Sequence, residues 1–160
     1  MTRRRVPLAV RFESYVDRSG DCWLWTGGAS DGYGKIQEDT PSRRKAFAHR
    51  VAYELANGPI PDGLVIDHMC HVTLCVNPSH LRAVASKQNS EHKVGAQQNS
   101  KSGFLGVVEY YPGCWRGQVK HFGKTHYTGR YDTPEEADVA VRALRNELFT
   151  HNDHDRRGIA

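Results

Sequence analysis

The densest chemistry in the chain lies in Asp67-His68-Met69-Cys70-His71-Val72-Thr73-Leu74-Cys75-Val76-Asn77-Pro78-Ser79-His80-Leu81, followed by Ser86-Lys87-Gln88-Asn89. Cys70 and Cys75 are five positions apart, and His80 lies five beyond Cys75. Thiolates and imidazole are the ligands zinc prefers, and a structural zinc site takes four of them. Cys22 is the candidate for the fourth, which would tie this loop to the N-terminal region and close a long stretch of chain. The spacing differs from that of the usual fingers. Two other readings therefore stand beside zinc: buried cysteines with a packed histidine, and disulfides in an oxidising compartment.

These residues need elements to hold them. Leu64–His68 is a short β-rich run, Leu81–Val84 is a second, and Ser86 can cap a helix running to about Val94. Residues 64–94 thus read strand, loop, strand, helix, a ββα unit. Upstream, residues 1–20 read as a basic arm (Arg3, Arg4, Arg5) and a short helix around Val10–Val16. Cys22–Trp25 reads as a strand, with Trp23 and Trp25 as core. Gly27, Gly28, Asp31, Gly32 and Gly34 mark a turn, and Tyr33–Gln37 is the returning strand. Arg43-Arg44-Lys45 precedes a helix in which Phe47, Val51 and Leu55 recur at every fourth residue, stopped by Gly58-Pro59.

The pattern His68-x-Cys70-x4-Cys75-x4-His80, with Asn89 downstream on a helix, resembles the ββα-metal (His-Me finger) nucleases, and most of all the His-Cys-box homing endonucleases. Ala48-His49-Arg50, Gly58-Pro59-Ile60-Pro61 and Val76-Asn77-Pro78-Ser79-His80-Leu81 are similar to phage and intron HNH endonucleases; the likeness covers roughly residues 20–93. The resemblance implies that His68 is the general base and Asn89 the catalytic metal ligand. Asp67 is a second ligand in HNH enzymes with an Asp-His pair, although the His-Cys-box pattern does without it. Cys22, Cys70, Cys75 and His80 match a structural Cys3His zinc site. The implied cofactors are thus a catalytic Mg²⁺ or other divalent cation and a structural Zn²⁺. His-Cys-box relatives dimerise but have a different C-terminus, which leaves a homodimer open here.

That chemistry is coherent on its own terms. A neutral imidazole can take a proton from water near neutral pH. A hard cation on amide and carboxylate oxygens stabilises charge building on phosphate and on the departing 3′ oxygen. His92 shares the helix face of Asn89; solvent exposure is expected, with an auxiliary metal ligand or a phosphate contact as the alternative. His49 and Arg50 either contact a phosphate or line a solvated helix face.

The 160 residues allow one ordinary domain or two small ones, and the net charge of +4 suits a polyanionic partner without demanding one. No stretch is long and apolar enough for a membrane span, and Val6–Val10 lacks the features of a signal peptide, so an intracellular, cytoplasmic protein is expected; the resemblance to homing and phage HNH endonucleases implies a phage or intron origin. The expected organisation is a nuclease domain over 1–95, a polar linker over 96–103, a second domain over 104–150 and a polar tail over 151–160.

In the second domain Phe104–Glu109, Cys114–His121 and His126–Tyr131 read as strands, and Thr133-Pro134-Glu135-Glu136 opens a helix through a capping box. Gly106-Val107, Gly113-Cys114-Trp115, Tyr127-Thr128-Gly129 and Tyr131–Ala137 resemble the AP2/ERF domain, whose three-stranded sheet lies in the DNA major groove. Val108 stands where that family has Arg, Tyr127 where it has Trp and Thr128 where it has Leu, so base preference does not carry over. Alternation puts Arg116, Gln118 and Lys120 on one face, with Lys124, Tyr127 and Arg130 as possible extensions; an ordinary solvated face is the alternative. Cys114 reads as a free thiol. The expectation is an α+β protein: a zinc-stabilised nuclease domain that cuts double-stranded DNA and an AP2-like domain that anchors it. A zinc-stabilised DNA-binding protein without catalysis is the alternative.

Overall fold

A computed structural model describes residues 6–40, 42 and 44–157; the basic arm Arg3–Arg5 and Arg43 lie outside the described residues. The chain divides into two compact units, Met1–Ser86 and Lys87–Ala160, each with its own core.

In the first unit, helix α1 (Leu8–Glu13) starts after Pro7 and turns Phe12 inward. Strand β1 (Val16–Asp17) pairs antiparallel with β2 (Leu24–Trp25). The helix therefore stops short of Val16, which pairs with Trp25 instead. Strands β3 (Ala29–Ser30), β4 (Tyr33–Gln37) and β5 (Lys45–Phe47) form a separate sheet in that order. Tyr33–Gln37 thus does not return against Cys22–Trp25; its partners are β3 and the unforeseen β5. Helix α2 (Ala48–Asn57) buries Ala48, His49, Val51 and Ala52 and ends at Gly58, whose φ of 84° suits a residue without a Cβ. Ala48 seats against Gly34, where an added Cβ would lie 2.4 Å from the Trp25 ring. Strands β6 (Leu64–His68) and β7 (Leu81–Ala85) pair in full register, from Leu64 opposite Ala85 to His68 opposite Leu81.

Helix α3 (Ser86–Glu91) follows β7 directly, completing the strand–strand–helix order. In the second unit, β8 (Val107–Tyr111), β9 (Cys114–His121) and β10 (Lys124–Tyr131) form an antiparallel sheet with β9 central. Helix α4 (Pro134–Leu148) starts as the capping pattern requires: the Glu136 amide donates to the Thr133 hydroxyl. Its Ala137 and Val141 pack on Val107 and Val119. At Gly117 a Cβ would sit 2.1 Å from Val141 Cγ2, so the helix lies flush on the strand.

Residues 151–157, expected as a polar tail, instead carry helix α5 (Asp153–Arg157) and bury Asn152 and Asp155. The reason lies on α4. Arg145 is 6% exposed, and Asp155 meets its guanidinium at 2.6 and 2.9 Å while the Leu105 carbonyl accepts at 2.7 Å. A buried cation held by a carboxylate and a carbonyl stays in place; removing one partner costs about 3–5 kcal/mol.

Candidate metal centre and nuclease site

The loop between β6 and β7 is bound to the N-terminal hairpin before any metal is considered. The Trp25 amide donates to the Leu74 carbonyl at 2.9 Å, and the Val76 amide donates to the Trp23 carbonyl at 2.7 Å. Asn77 reaches the Asp21 carbonyl at 2.9 Å and accepts from the Ser79 amide, opening the 3₁₀ turn Pro78–His80. These contacts bring Cys22, Cys70, Cys75 and His80 together with all four ligand atoms within 4.8 Å of one another. His80 Nδ1 lies 3.6 Å from both Cys22 Sγ and Cys75 Sγ. A tetrahedral zinc with ordinary bond lengths sets sulfur and nitrogen about 3.6 Å apart. Three thiol sulfurs and an imidazole are the donor set zinc selects, so these residues fit the ion. His80 Nε2 faces Asp21 at 3.4 Å, an outer carboxylate of the kind that orients a ligating imidazole. Burial pushes the Cys75 thiol up to about 12, and metal binding would have to displace that proton. Among the described residues no disulfide forms; Cys22, Cys70, Cys75 and Cys114 are all free thiols.

His68 closes β6 and is 8% exposed. Its Nε2 lies 3.2 Å from the Cys75 carbonyl oxygen. A carbonyl only accepts, so Nε2 carries the hydrogen and Nδ1 keeps the basic lone pair. Burial holds the imidazole pKa below its ordinary value, against the Cys75 carbonyl and Asp67, which favour the charged form. His49 meets the His68 ring edge-on at 4.7 Å between centroids, and Tyr33 approaches both rings at 5.5 and 6.2 Å. His49 is buried at 8% exposure, so it does not line a solvated helix face; Arg50 beside it is half-buried. Its packing is the feature the sequence left unresolved, and the signal was Ala48 and Ala52, which set that helix side inward.

Asp67, one residue before His68, accepts from Arg82 Nε at 2.9 Å across the strand pair. Its carboxylate is 7% exposed and engaged by that guanidinium, so it can serve a metal only by sharing. Asn89 sits on α3. His92 is not in solvent: it is 3% exposed, with Nε2 3.9 Å from Asp153, because residues 150–157 fold over it.

The C-terminal sheet presents a separate surface. Register puts Arg116 beside Val108 and Arg130, Gln118 beside Tyr127, and Lys120 beside Thr125, all on the face away from α4. The Arg116 guanidinium lies between two rings, 4.5 Å from Tyr110 and 4.1 Å from Tyr127, and Arg130 lies 4.8 Å from Tyr110. Tyr110 was missed from sequence, although it shares the face of Val108 by simple alternation. Lys124 pairs with His121 and belongs to the other face, because the hairpin register shifts it by one position from Thr125.

The strand–strand–helix order is thus accompanied by a histidine that ends the first strand and by a Cys3His cluster, drawn from the β6–β7 loop and Cys22, that could hold a metal ion. Residues 46–91 match the HNH endonuclease family, and the chain carries an HNH endonuclease domain there. It belongs to the same family of phage proteins as the uncharacterized gene 5.3 protein of Enterobacteria phage T3, which is 38% identical over 72 residues covering 40% of this chain and 71% of that protein. It is also similar to Protein 7.7 of Escherichia phage T7, 38% identical over 82 residues, 51% of this chain; the match spans 61% of the T7 protein. No solved structure matches the chain. No helix among the described residues is long and apolar enough to cross a membrane.

Proposed function

We propose that this protein is a DNA endonuclease of the phage or homing HNH type that hydrolyses phosphodiester bonds with a histidine base and a divalent cation. The observation that carries the reading is the state of His68: within the HNH-matched residues, a buried neutral imidazole has one nitrogen committed to a carbonyl and the other free to take a proton. His68 Nδ1 removes the proton of the attacking water as its oxygen adds to phosphorus and the bond to the 3′ oxygen breaks. Asn89, with Asp67 sharing its carboxylate, offers the hard oxygen ligands for the cation. That cation, when bound, stabilises the charge gathering on the phosphate and leaving oxygens. Cys22, Cys70, Cys75 and His80 would hold a zinc that staples the fold and takes no part in bond cleavage.

The second domain, over residues 104–150 beyond the polar stretch 96–103, is read as AP2-like. Arg116, Gln118, Lys120, Tyr127 and Arg130 form its DNA-facing surface; Arg116 and Gln118 suit base edges and Lys120 suits phosphate. Arg50 is assigned a phosphate contact. Linking a cutting module to a binding module raises the local concentration of DNA at the nuclease.

The test is nicking of supercoiled DNA in Mg²⁺ by the wild type, His68→Ala and Asn89→Ala. The expected result is cleavage by the wild type and loss of about a hundredfold or more in both variants, with DNA binding retained. Binding without cleavage across Mg²⁺, Mn²⁺ and other divalent cations would assign the chain to DNA binding alone. Cleavage by the variants at the wild-type rate would overturn the two residue roles.

A further inference from the structure

Glu91, the last residue of α3, has no part in the chemistry above, yet its carboxylate is buried to 6% exposure. It is fully employed. Oε2 accepts from the Thr150 amide at 2.9 Å, the His151 amide at 3.3 Å and the Thr150 hydroxyl at 3.2 Å. Oε1 receives the Lys87 ammonium one turn earlier, and His121 Nε2 stands 3.8 Å away. Lys87 also lies 4.1 Å from the Phe122 ring, at the tip of the β9–β10 hairpin. One residue beyond Glu91, His92 is covered and faces Asp153.

Helix α3 has six residues, Ser-Lys-Gln-Asn-Ser-Glu, with no apolar face. So short a polar helix does not persist on its own, because nucleation fixes several residues for very few hydrogen bonds. Charge-assisted bonds from a buried carboxylate to two backbone amides are the kind of tie that can hold it.

We infer that Glu91 is a positioning residue for the nuclease: it ties the helix bearing Asn89 to the segment Thr150–Arg157, which lies outside the HNH-matched residues, and so sets the geometry of the metal ligand. The inference rests on the reading of Asn89 as that ligand. It makes residues 150–157 part of the cutting machinery.

The test uses the full-length protein with Glu91→Ala and Glu91→Gln. The glutamine keeps an oxygen for the Thr150 and His151 amides, and loses the charge and the acceptor that receives Lys87. Single-turnover nicking is measured across Mg²⁺ concentration, and DNA affinity without divalent metal is measured beside it. Hydrogen exchange is followed at the His92 amide, which donates to the Gln88 carbonyl at 3.1 Å. For Glu91→Ala the expected result is about tenfold more Mg²⁺ needed for half-maximal rate, a plateau near that of the wild type, unchanged metal-free binding and faster His92 exchange. Glu91→Gln should fall between the two, and it carries the measurement if the alanine variant does not fold. An unchanged Mg²⁺ midpoint in a folded variant, or equal losses of binding and cutting, overturns the inference. If the wild type does not cut, or Asn89→Ala keeps its metal midpoint, the nuclease reading has failed instead. The His92 exchange rate then decides the tie alone: faster exchange in Glu91→Ala supports it, and an unchanged rate refutes it.

Discussion

Acidification should destabilise the first unit through one buried imidazole. His49 is 8% exposed, and its Nδ1 is buried with no hydrogen-bond partner. Burial above all, then His68, Arg50 and Lys35, lowers its pKa from 6.5 to about 3. The folded pKa lies below the unfolded one, so the unfolded chain takes up the proton first as pH falls. Stability is complete above about pH 6.5 and drains away as the pH drops toward 3. At pH 5 the loss is about 2 kcal/mol, and near pH 3 it reaches roughly 4 kcal/mol. The assay is urea unfolding at pH 7.5 and pH 5, read by fluorescence from Trp23 and Trp25, for the wild type and His49→Gln. Contributions of groups present in both proteins cancel in the comparison. The wild type should lose about 2 kcal/mol more than the variant between the two pH values. Equal losses, or an NMR titration placing the His49 midpoint above pH 5, would refute the reasoning.

Two more perturbations probe other parts of the structure. Purified protein should carry one zinc per chain, and a strong chelator should release it and lower the melting temperature of the first unit; Cys75→Ser should do the same, and a chain that folds normally without zinc would sink the assignment. Gly117→Ala should cost roughly 1–3 kcal/mol, since its Cβ would collide with Val141 at 2.1 Å and Thr128 at 2.8 Å; a urea midpoint equal to wild type would show that α4 lifts freely off the sheet.

The parts of the molecule that could be read from the sequence are those governed by local chemistry. The ligand quartet was visible because thiols and imidazoles at a fixed spacing have few other uses, and the structure gathers all four. The α4 start was visible because Thr133 and Pro134 act within one turn. What escaped depends on distant partners. Lys45–Phe47 reads as a helix approach until Lys35 and Ile36 supply a strand to pair with. His92 looks like a solvent residue of a polar helix until residues 150–157 arrive to cover it. The last segment looks like a tail because Asp155 shows its purpose only when paired with Arg145. The engagement of Asp67 by Arg82 likewise follows from register, which no motif states.

The position of the zinc-type ligands along the chain has a bearing on synthesis. Cys22, Cys70, Cys75 and His80 all precede α3, whereas the amides that grip Glu91 belong to Thr150 and His151. Some 70 residues separate His80 from Thr150, roughly 4–14 s of ribosome time. A metal ion held by those four residues would be able to bind the nascent chain during that interval, before Thr150 and His151 reach Glu91. Chains halted between these two points are expected to hold a metal ion at the cluster while the Glu91 ties to Thr150 and His151 are still missing.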